Sequence, residues 1–141
     1  MAIKYSPYVG QILMCDFHGM KEPEMVKRRP VIVIRASRYG PKLATVVCLS
    51  TVEPNPNLDC HMRLPDKFLP KDPFFEGKET WLKGDMIYTL SCDRLDYVKM
   101  GKDRNGKRKY FTQKLSRETM AEVYSCALHG VNLGFLSPHL T

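Results

Sequence analysis

The sequence predicts a mainly β protein with a C-terminal helix, folded as a small, strongly bent barrel or sandwich. Three observations lead to this fold class: several short apolar segments of strand length, closely spaced turn signals, and one late stretch with helical periodicity. The chain has 141 residues, of which 43% are hydrophobic and 26% charged, so it can bury a hydrophobic core and is globular. We therefore expect a single domain, residues 1–141.

Five segments have the length and apolar content of β-strands. The first, GQILMCDF, alternates in polarity as a half-buried strand does, whereas VIVIRA and LATVVCLS are largely apolar. Pro30 stands at the start of the second strand, where proline is tolerated, and Gly84 interrupts the last. In chain order the predicted strands are residues 10–17, 31–36, 43–50, 60–64 and 80–90.

Turns and loops separate these strands. The Gly-Pro pair in residues 37–42 (SRYGPK) marks a turn, and residues 65–78 contain three prolines and form a predicted loop. Residues 104–107 (RNGK) supply an Asn-Gly pair, which predicts a type I′ hairpin turn.

The helix begins after Ser116, a good N-cap, with Glu118 in its first turn. Gly130 or Gly134 can end it. One face carries an apolar stripe at helical spacing, so the helix is expected to pack on the sheet. The stripe consists of Met120, Val123, Tyr124, Ala127, Leu128 and Val131.

Charge and cysteine content narrow the function classes. A net charge of +7 and a pI of about 9.2 favour a polyanionic partner, nucleic acid first and an acidic membrane or protein second. Five cysteines without a Cys-x-x-Cys pair argue against a disulfide framework and a structural zinc site. The sequence shows no leader and no apolar run of membrane-spanning length, so we expect a cytoplasmic protein that does not enter a membrane.

The distribution of reactive residues favours chemistry without a cofactor or metal. A Gly-rich phosphate loop, a His-Glu-x-x-His motif and a nucleophile turn are all missing, and the acidic residues are too scattered for a two-metal nuclease. A basic site without metal suits RNA cleavage by the substrate's own 2′-hydroxyl. The protein then supplies a base, a proton donor for the leaving 5′-oxygen, and positive charge for the phosphorane.

Three cations, Lys27, Arg28 and Arg29, stand immediately before the aliphatic strand in EMVKRRPVIVI. Desolvating a charge is costly unless it is paired, so these residues either form a solvated strand flank or hold a cation where an anion binds. Arginine suits the second interpretation because its planar fork matches two phosphate oxygens.

Four segments, GQILMCDF, EMVKRRPVIVI, VVCLST and WLKGDMIYTLSCDRL, resemble in order and spacing the PemK/MazF family of toxins from type II toxin–antitoxin systems. The most specific feature is Arg-Pro followed by an aliphatic strand, with a glutamate five residues earlier; here these are Arg29 and Glu24. VVCLST resembles the family strand that ends in a Ser/Thr pair. KGDMIYTL resembles the segment whose cation and aspartate match Lys83 and Asp85.

The resemblance implies an SH3-like barrel that forms a homodimer and needs no metal or cofactor. It implies an endoribonuclease that cleaves single-stranded RNA (mRNA) at short sequences, leaves a 2′,3′-cyclic phosphate and a 5′-hydroxyl, and is inhibited by a cognate antitoxin. A net charge of +7 suits an acidic, partly disordered antitoxin.

Catalytic roles follow from the same resemblance. Arg29 would stabilise the charge on the scissile phosphate and could also serve as proton donor. Asp85 would be the base, as in those members that use an aspartate, and Glu24 would hold Arg29 or take part in proton transfer. Ser50 and Thr51 bond the phosphate or orient the 2′-hydroxyl. Purely structural roles remain as alternatives. Ser50 and Thr51 could end a strand by bonding backbone groups, and Asp85 could be a turn residue.

RNA-binding residues are expected near this site. Lys83 is a second cation, although some family members have arginine there, and Arg28 replaces a histidine found in some members. Lys27 and Arg28 flank Arg29, and Phe74 and Phe75 in the proline-rich loop are candidates for contact with RNA or antitoxin. The alternative hypothesis is a barrel of this kind that binds without catalysis, either a protein target, as gyrase poisons of similar fold do, or RNA.

Overall fold

The computed structural model describes Ile3, residues 6–37, Tyr39 and residues 42–140. In this part of the chain the secondary structure is mostly strand, with a single α-helix near the C-terminus, so the predicted fold class is confirmed. The helix, α1, spans Arg117–Gly130, and short 3₁₀ turns lie at Asp66–Phe68, Cys92–Arg94 and Gly134–His139. The strands are β1 (Ile12–Cys15), β2 (Arg29–Ala36), β3 (Leu43–Ser50), β4 (His61–Arg63), β5 (Trp81–Ser91), β6 (Leu95–Tyr97), β7 (Lys99–Lys102) and β8 (Arg108–Tyr110).

Six strands form one antiparallel sheet in the order β4-β5-β3-β2-β1-β6, and β7 and β8 form a separate hairpin. All five predicted strands occur in this sheet, whereas β6 was not predicted. Among the described strands, hydrogen bonds do not close the sheet into a ring, because β4 and β6 lie at its two edges. Arg38, Gly40 and Pro41 of the predicted turn at residues 37–42 lie outside the described residues.

The turn of the β7–β8 hairpin is not the predicted type I′ turn, which needs positive φ at both central residues. Gly106 has a φ of +79°, but Asn105 is not among the described residues with positive φ. The Asp103 carboxylate accepts hydrogen bonds from the backbone N–H groups of Asn105 and Lys107, at 2.8 and 2.9 Å. This side-chain cap stabilises a type I turn followed by a left-handed glycine.

Two irregularities bend the sheet. The β2–β3 register shifts between Val33 and Arg35. In the β3–β5 pair, Val47 faces Ile87 while the next residue, Cys48, faces Lys83, so residues 84–86 form a bulge on β5. Bulges increase local twist and redirect side chains. This bulge contains Asp85, one of the predicted catalytic residues.

Each face of the sheet carries its own core cluster. On one face, α1 covers Ile12, Ile32, Val47, Leu49 and Leu82, together with Val123 of the helix itself. The opposite face buries Leu13, Phe17, Val31, Val33, Val46 and Cys48. Neighbouring residues of β2 and β3 therefore point to opposite clusters, as the pleat requires.

The predicted start of the helix is confirmed. The Ser116 hydroxyl accepts a hydrogen bond from the Thr119 backbone N–H at 3.2 Å, and Gly130 is the last helical residue. Val131 was predicted in the buried stripe, but it follows the helix and is 52% exposed. None of the helices in the described part of the chain has the length and apolar character that a membrane crossing requires.

Candidate active site

Predicted site residues lie at one end of three neighbouring antiparallel strands: at the start of β2, the end of β3 and the start of β5. Val31 pairs with Cys48, and Cys48 pairs with Lys83. Arg29 lies two residues before Val31 in β2, and Ser50 lies two residues after Cys48 in β3. Because side chains alternate along a strand, these two positions belong to the face that buries Val31 and Cys48.

Arg29 lines a cavity of about 580 Å³ together with the loop that precedes β2. Glu24 and Lys27 line the same cavity, so three of the predicted site residues meet here. The Glu24 carboxylate accepts a hydrogen bond from the backbone N–H of Lys21 at 3.0 Å, which shapes the loop. Glu22 also lines this cavity, so the loop and the start of β2 present two cations and two carboxylates to the same space.

Lys83 and Asp85 line a second cavity of about 430 Å³, which also contains His61. Pro23 and Met25 line both cavities, so the two spaces adjoin and share a wall. A substrate chain that crosses this wall would meet Arg29 on one side and Lys83 with Asp85 on the other.

Tyr88 holds the shared wall in place. Its phenol oxygen accepts a hydrogen bond from the backbone N–H of Met25 at 3.0 Å, and its ring packs against Phe17 with centroids 5.1 Å apart. Burial raises the pKa of the Tyr88 phenol. At the start of the loop, the Arg94 guanidinium donates to the carbonyl oxygens of Asp16 and His18. The loop is thus anchored at both ends.

Ser50 and Thr51 are half-buried. Neither lines the two cavities. The Ser50 hydroxyl accepts a hydrogen bond from the backbone N–H of Val52 at 3.1 Å, so in this structure it ends β3 by bonding the backbone. Contact of either residue with a phosphate stays a prediction.

Asp85 has a neighbour that sequence reasoning missed. The Nε2 atom of His61 lies 3.6 Å from Oδ1 of Asp85. His61 lies opposite Lys83 in the β4–β5 register. The two residues that form this pair are far apart in the sequence, and only the register and the β5 bulge place them together, so no local signal indicates the contact.

Cys60, His61 and Asp85 also form the one group of possible metal ligands found among the described residues, with ligand atoms within 4.8 Å of one another. Two observations argue against a metal there. The Nδ1 atom of His61 accepts a hydrogen bond from the Leu58 backbone N–H at 3.1 Å, which puts the proton of the neutral ring on Nε2. Burial raises the pKa of the Cys60 thiol, whereas metals bind the thiolate.

The family assignment comes from the sequence as a whole. The profile of the family described as "PemK-like, MazF-like toxin of type II toxin-antitoxin system" matches residues 8–129. The chain belongs to this family.

Relatives of this PemK/MazF-like toxin include two uncharacterized bacterial proteins. YifN of Escherichia coli (strain K12) is 28% identical over 150 aligned residues, which cover 94% of this chain and 96% of YifN. A protein of Haemophilus influenzae (strain ATCC 51907 / DSM 11121 / KW20 / Rd) is 28% identical over 151 aligned residues, which cover 96% of this chain and 98% of that protein.

Two solved structures share the fold. One is an endoribonuclease in complex with its cognate antitoxin from a mycobacterial species, with a TM-score of 0.58, 18% identity, and coverage of 90% of this chain and 96% of that one. The other is an endoribonuclease from a mycobacterial species, with a TM-score of 0.57, 17% identity, and coverage of 92% and 94%. The sheet and helix of this chain therefore share the fold of these two solved structures.

Arg28 faces a different part of the protein from Arg29. Its guanidinium lies 3.7 Å from the Asp96 carboxylate, and it lines a separate cavity with Arg94 and Lys99. The structure thus separates the neighbours Arg28 and Arg29, which sequence reasoning grouped together.

Phe75 requires a correction. Its ring is 3% exposed and belongs to the core cluster under α1, so it offers no face to a base. Phe74 is half-buried, packs edge-on against Phe75 with centroids 5.2 Å apart, and lies 5.9 Å from the Lys78 ammonium. The predicted proline-rich loop therefore contributes to the core.

Proposed function

We propose that this protein is a toxin that cleaves single-stranded RNA, working as a metal-independent endoribonuclease with a preference for short sequences. The observation that carries the proposal is the pair of adjoining cavities, one lined by Arg29 and the other by Lys83 and Asp85, with Met25 and Pro23 between them. Such a groove matches what a phosphodiester in mid-transfer needs: fixed positive charge on both sides and a carboxylate within reach.

The proposed reaction uses the RNA's own hydroxyl as nucleophile. The Asp85 carboxylate takes the proton of the 2′-hydroxyl, whose oxygen attacks phosphorus. The bond from phosphorus to the 5′-oxygen breaks, and that oxygen leaves with a proton from the Lys83 ammonium. The products are a 2′,3′-cyclic phosphate and a 5′-hydroxyl.

Arg29 is proposed to stabilise the charge that builds on the phosphoryl oxygens during this step. Its guanidinium stays charged and can bond two oxygens at once, which suits the crowded phosphorane. Glu24, in the same cavity, would orient that guanidinium. Lys27 would bind a neighbouring phosphate, which adds affinity without base specificity.

Both solved neighbours are endoribonucleases, and one is bound to its antitoxin, which supports RNA cleavage and an antitoxin for this chain. The net charge of +7 suits an acidic partner whose carboxylates cover Arg29 and Lys83 and exclude RNA. A homodimer, implied by the family, is part of the proposal and is tested by analytical ultracentrifugation.

A defined RNA tests the reaction. The wild-type protein should cut it in EDTA, and mass spectrometry should find 2′,3′-cyclic phosphate and 5′-hydroxyl ends. A matched RNA with one 2′-deoxy nucleotide at the cut should stay intact. Asp85→Asn, which keeps the size of the side chain, should lower kcat about 10²-fold or more. Cleavage of the deoxy substrate, or loss of activity in EDTA, would overturn this mechanism.

The alternative is a member of this fold that binds RNA or a protein target, in the manner of a gyrase poison, without cutting. It predicts that the wild-type protein leaves total RNA intact at every salt concentration. Binding of the same RNA in a filter assay would then point to an RNA-binding module, and lack of binding would point to a protein target.

A further inference from the structure

We propose that His61 is a positioning residue that orients the Asp85 carboxylate for proton transfer. This inference deepens the proposed function and rests on it. His61 belongs to β4, at the edge of the sheet, and its side chain is 8% exposed, whereas that of Asp85 is 47% exposed. A nearly buried imidazole thus lies beside a more exposed carboxylate, and both line the same cavity.

Backbone structure fixes the orientation of the imidazole ring. The Leu58 backbone N–H donates to Nδ1 at 3.1 Å, and this bond needs a lone pair on Nδ1. The neutral ring therefore carries its proton on Nε2, the atom that faces Oδ1 of Asp85. Pairing of His61 with Lys83 between β4 and β5 holds the ring at this position along the strand.

The distance from Nε2 to Oδ1 is 3.6 Å, longer than a hydrogen bond. Catalytic hydrogen bonds are often long in structures without substrate and tighten in the complex. With Nε2–H directed at Oδ1, the other carboxylate oxygen is the one left for the 2′-hydroxyl of the RNA. His61 would thereby reduce the orientations open to a side chain that stands on a bulge.

Two substitutions of His61 separate this role from a purely structural one. His61→Asn keeps an acceptor near the position of Nδ1 for the Leu58 N–H but lacks a group at Nε2. His61→Gln places an amide donor near the position of Nε2 but lacks the acceptor. The positioning role predicts that His61→Asn lowers kcat about 10- to 100-fold with little change in KM, and that His61→Gln recovers most of the loss.

If His61→Asn is near wild type and His61→Gln is impaired, the order of activities is reversed. His61 would then only anchor the loop at Leu58, and the inference would be overturned. Failure of the wild-type protein to cleave RNA would overturn the proposed function and this role with it. Cleavage by wild type and by both variants at equal rates would overturn the role of His61 alone.

A measurement without RNA tests the geometry. The ¹⁵N NMR spectrum of the neutral His61 ring should show an unprotonated Nδ1 and a protonated Nε2, and Asp85→Asn should shift the Nε2 signal. A proton on Nδ1 would contradict the proposed hydrogen-bond pattern. A stoichiometric metal in the purified protein, lost in both His61→Asn and Cys60→Ser, would replace the inference with a metal site.

Discussion

Gly130, the last residue of α1, packs backbone to backbone against Gly84 in the bulge of β5. A Cβ atom on Gly130 would overlap the carbonyl of Gly84 and approach the backbone nitrogen of Asp85. A Cβ on Gly84 would in turn overlap the carbonyl oxygens of Cys60 and Cys126. The helix end therefore sits directly on the bulge that presents Asp85 to the cavity, and only glycine fits at both positions.

Gly130→Ala should destabilise the protein, although alanine is intrinsically the better helix residue. The added methyl group must push the helix away from β5, which we expect to lower the free energy of unfolding by about 1–3 kcal/mol. Urea denaturation measures the change. Ser125→Ala, in the interior of the same helix, is the matched control and should be neutral or slightly stabilising. Equal stability of the two variants would contradict the close packing.

Thr80 should tolerate an apolar replacement. Its side chain is 0% exposed, and its Oγ1 atom has no hydrogen-bond partner in the part of the chain that the structure describes. Thr80→Val keeps the shape and removes a buried unsatisfied hydroxyl, so the free energy of unfolding should rise by about 1 kcal/mol.

Thr119→Val is the control for this prediction. The Thr119 hydroxyl lies 2.9 Å from the Ser116 hydroxyl and is also buried, so here the same substitution removes a made hydrogen bond and should destabilise by about 1 kcal/mol. A Thr80→Val protein that unfolds at lower urea concentration than wild type would show that the hydroxyl is bonded in solution.

Elements that depend on local pattern could be predicted from the sequence. The strand of residues 43–50 matches β3 at both ends, and Ser116 caps the helix as expected. Contacts set by register could not be predicted. The three-residue bulge at Asp85 and the meeting of Asp85 with His61 depend on how distant strands pair, and periodicity does not specify that pairing.

Similarly, the sequence shows which residues are cationic, but not the direction in which each cationic side chain points. The sequence predicts that Arg28 and Arg29 both act near one site, but the two side chains line separate cavities. Phe75 lies in the predicted loop, but its aromatic ring is buried in the core and is not presented to RNA or antitoxin.

Cys15 should make stability depend on alkaline pH. Burial raises the pKa of its thiol from 9.0 to about 12. Above about pH 9 the thiol ionises in the unfolded chain but stays protonated in the folded one, so the unfolded state binds fewer protons. The free energy of unfolding should then fall by about 1.4 kcal/mol per pH unit from this group alone, until the folded thiol also ionises.

Cys15→Ala removes this contribution, so its stability should fall less steeply than that of wild type between about pH 9 and pH 11. Chemical denaturation at successive pH values gives both slopes. Val33→Ala, in the same core cluster, loses apolar volume without a titratable group and should keep the wild-type slope. Parallel curves for Cys15→Ala and wild type would mean that the thiol is accessible to solvent in the folded state.

Arg29 and Arg28 provide a comparison of adjacent arginines with the same charge. Arg29→Ala should lower kcat for RNA cleavage about 10²- to 10³-fold, because it removes a fixed donor from the charge that develops on the phosphate. Arg28→Ala should leave kcat near wild type, because the Arg28 guanidinium pairs with Asp96 and lines another cavity. Single-turnover cleavage of one RNA by each variant measures the difference.

Arg29→Lys refines this comparison, since it keeps the positive charge but loses the planar fork. If Arg29 bonds two phosphate oxygens together, lysine should restore only a small part of the lost rate, and if it contributes charge alone, lysine should restore most of it. Equal losses for Arg28→Ala and Arg29→Ala would show that these cations attract RNA through the general field of a chain with net charge +7. In that case, raising the salt concentration should weaken wild-type cleavage by weakening RNA binding, and saturating RNA should restore the rate of both variants.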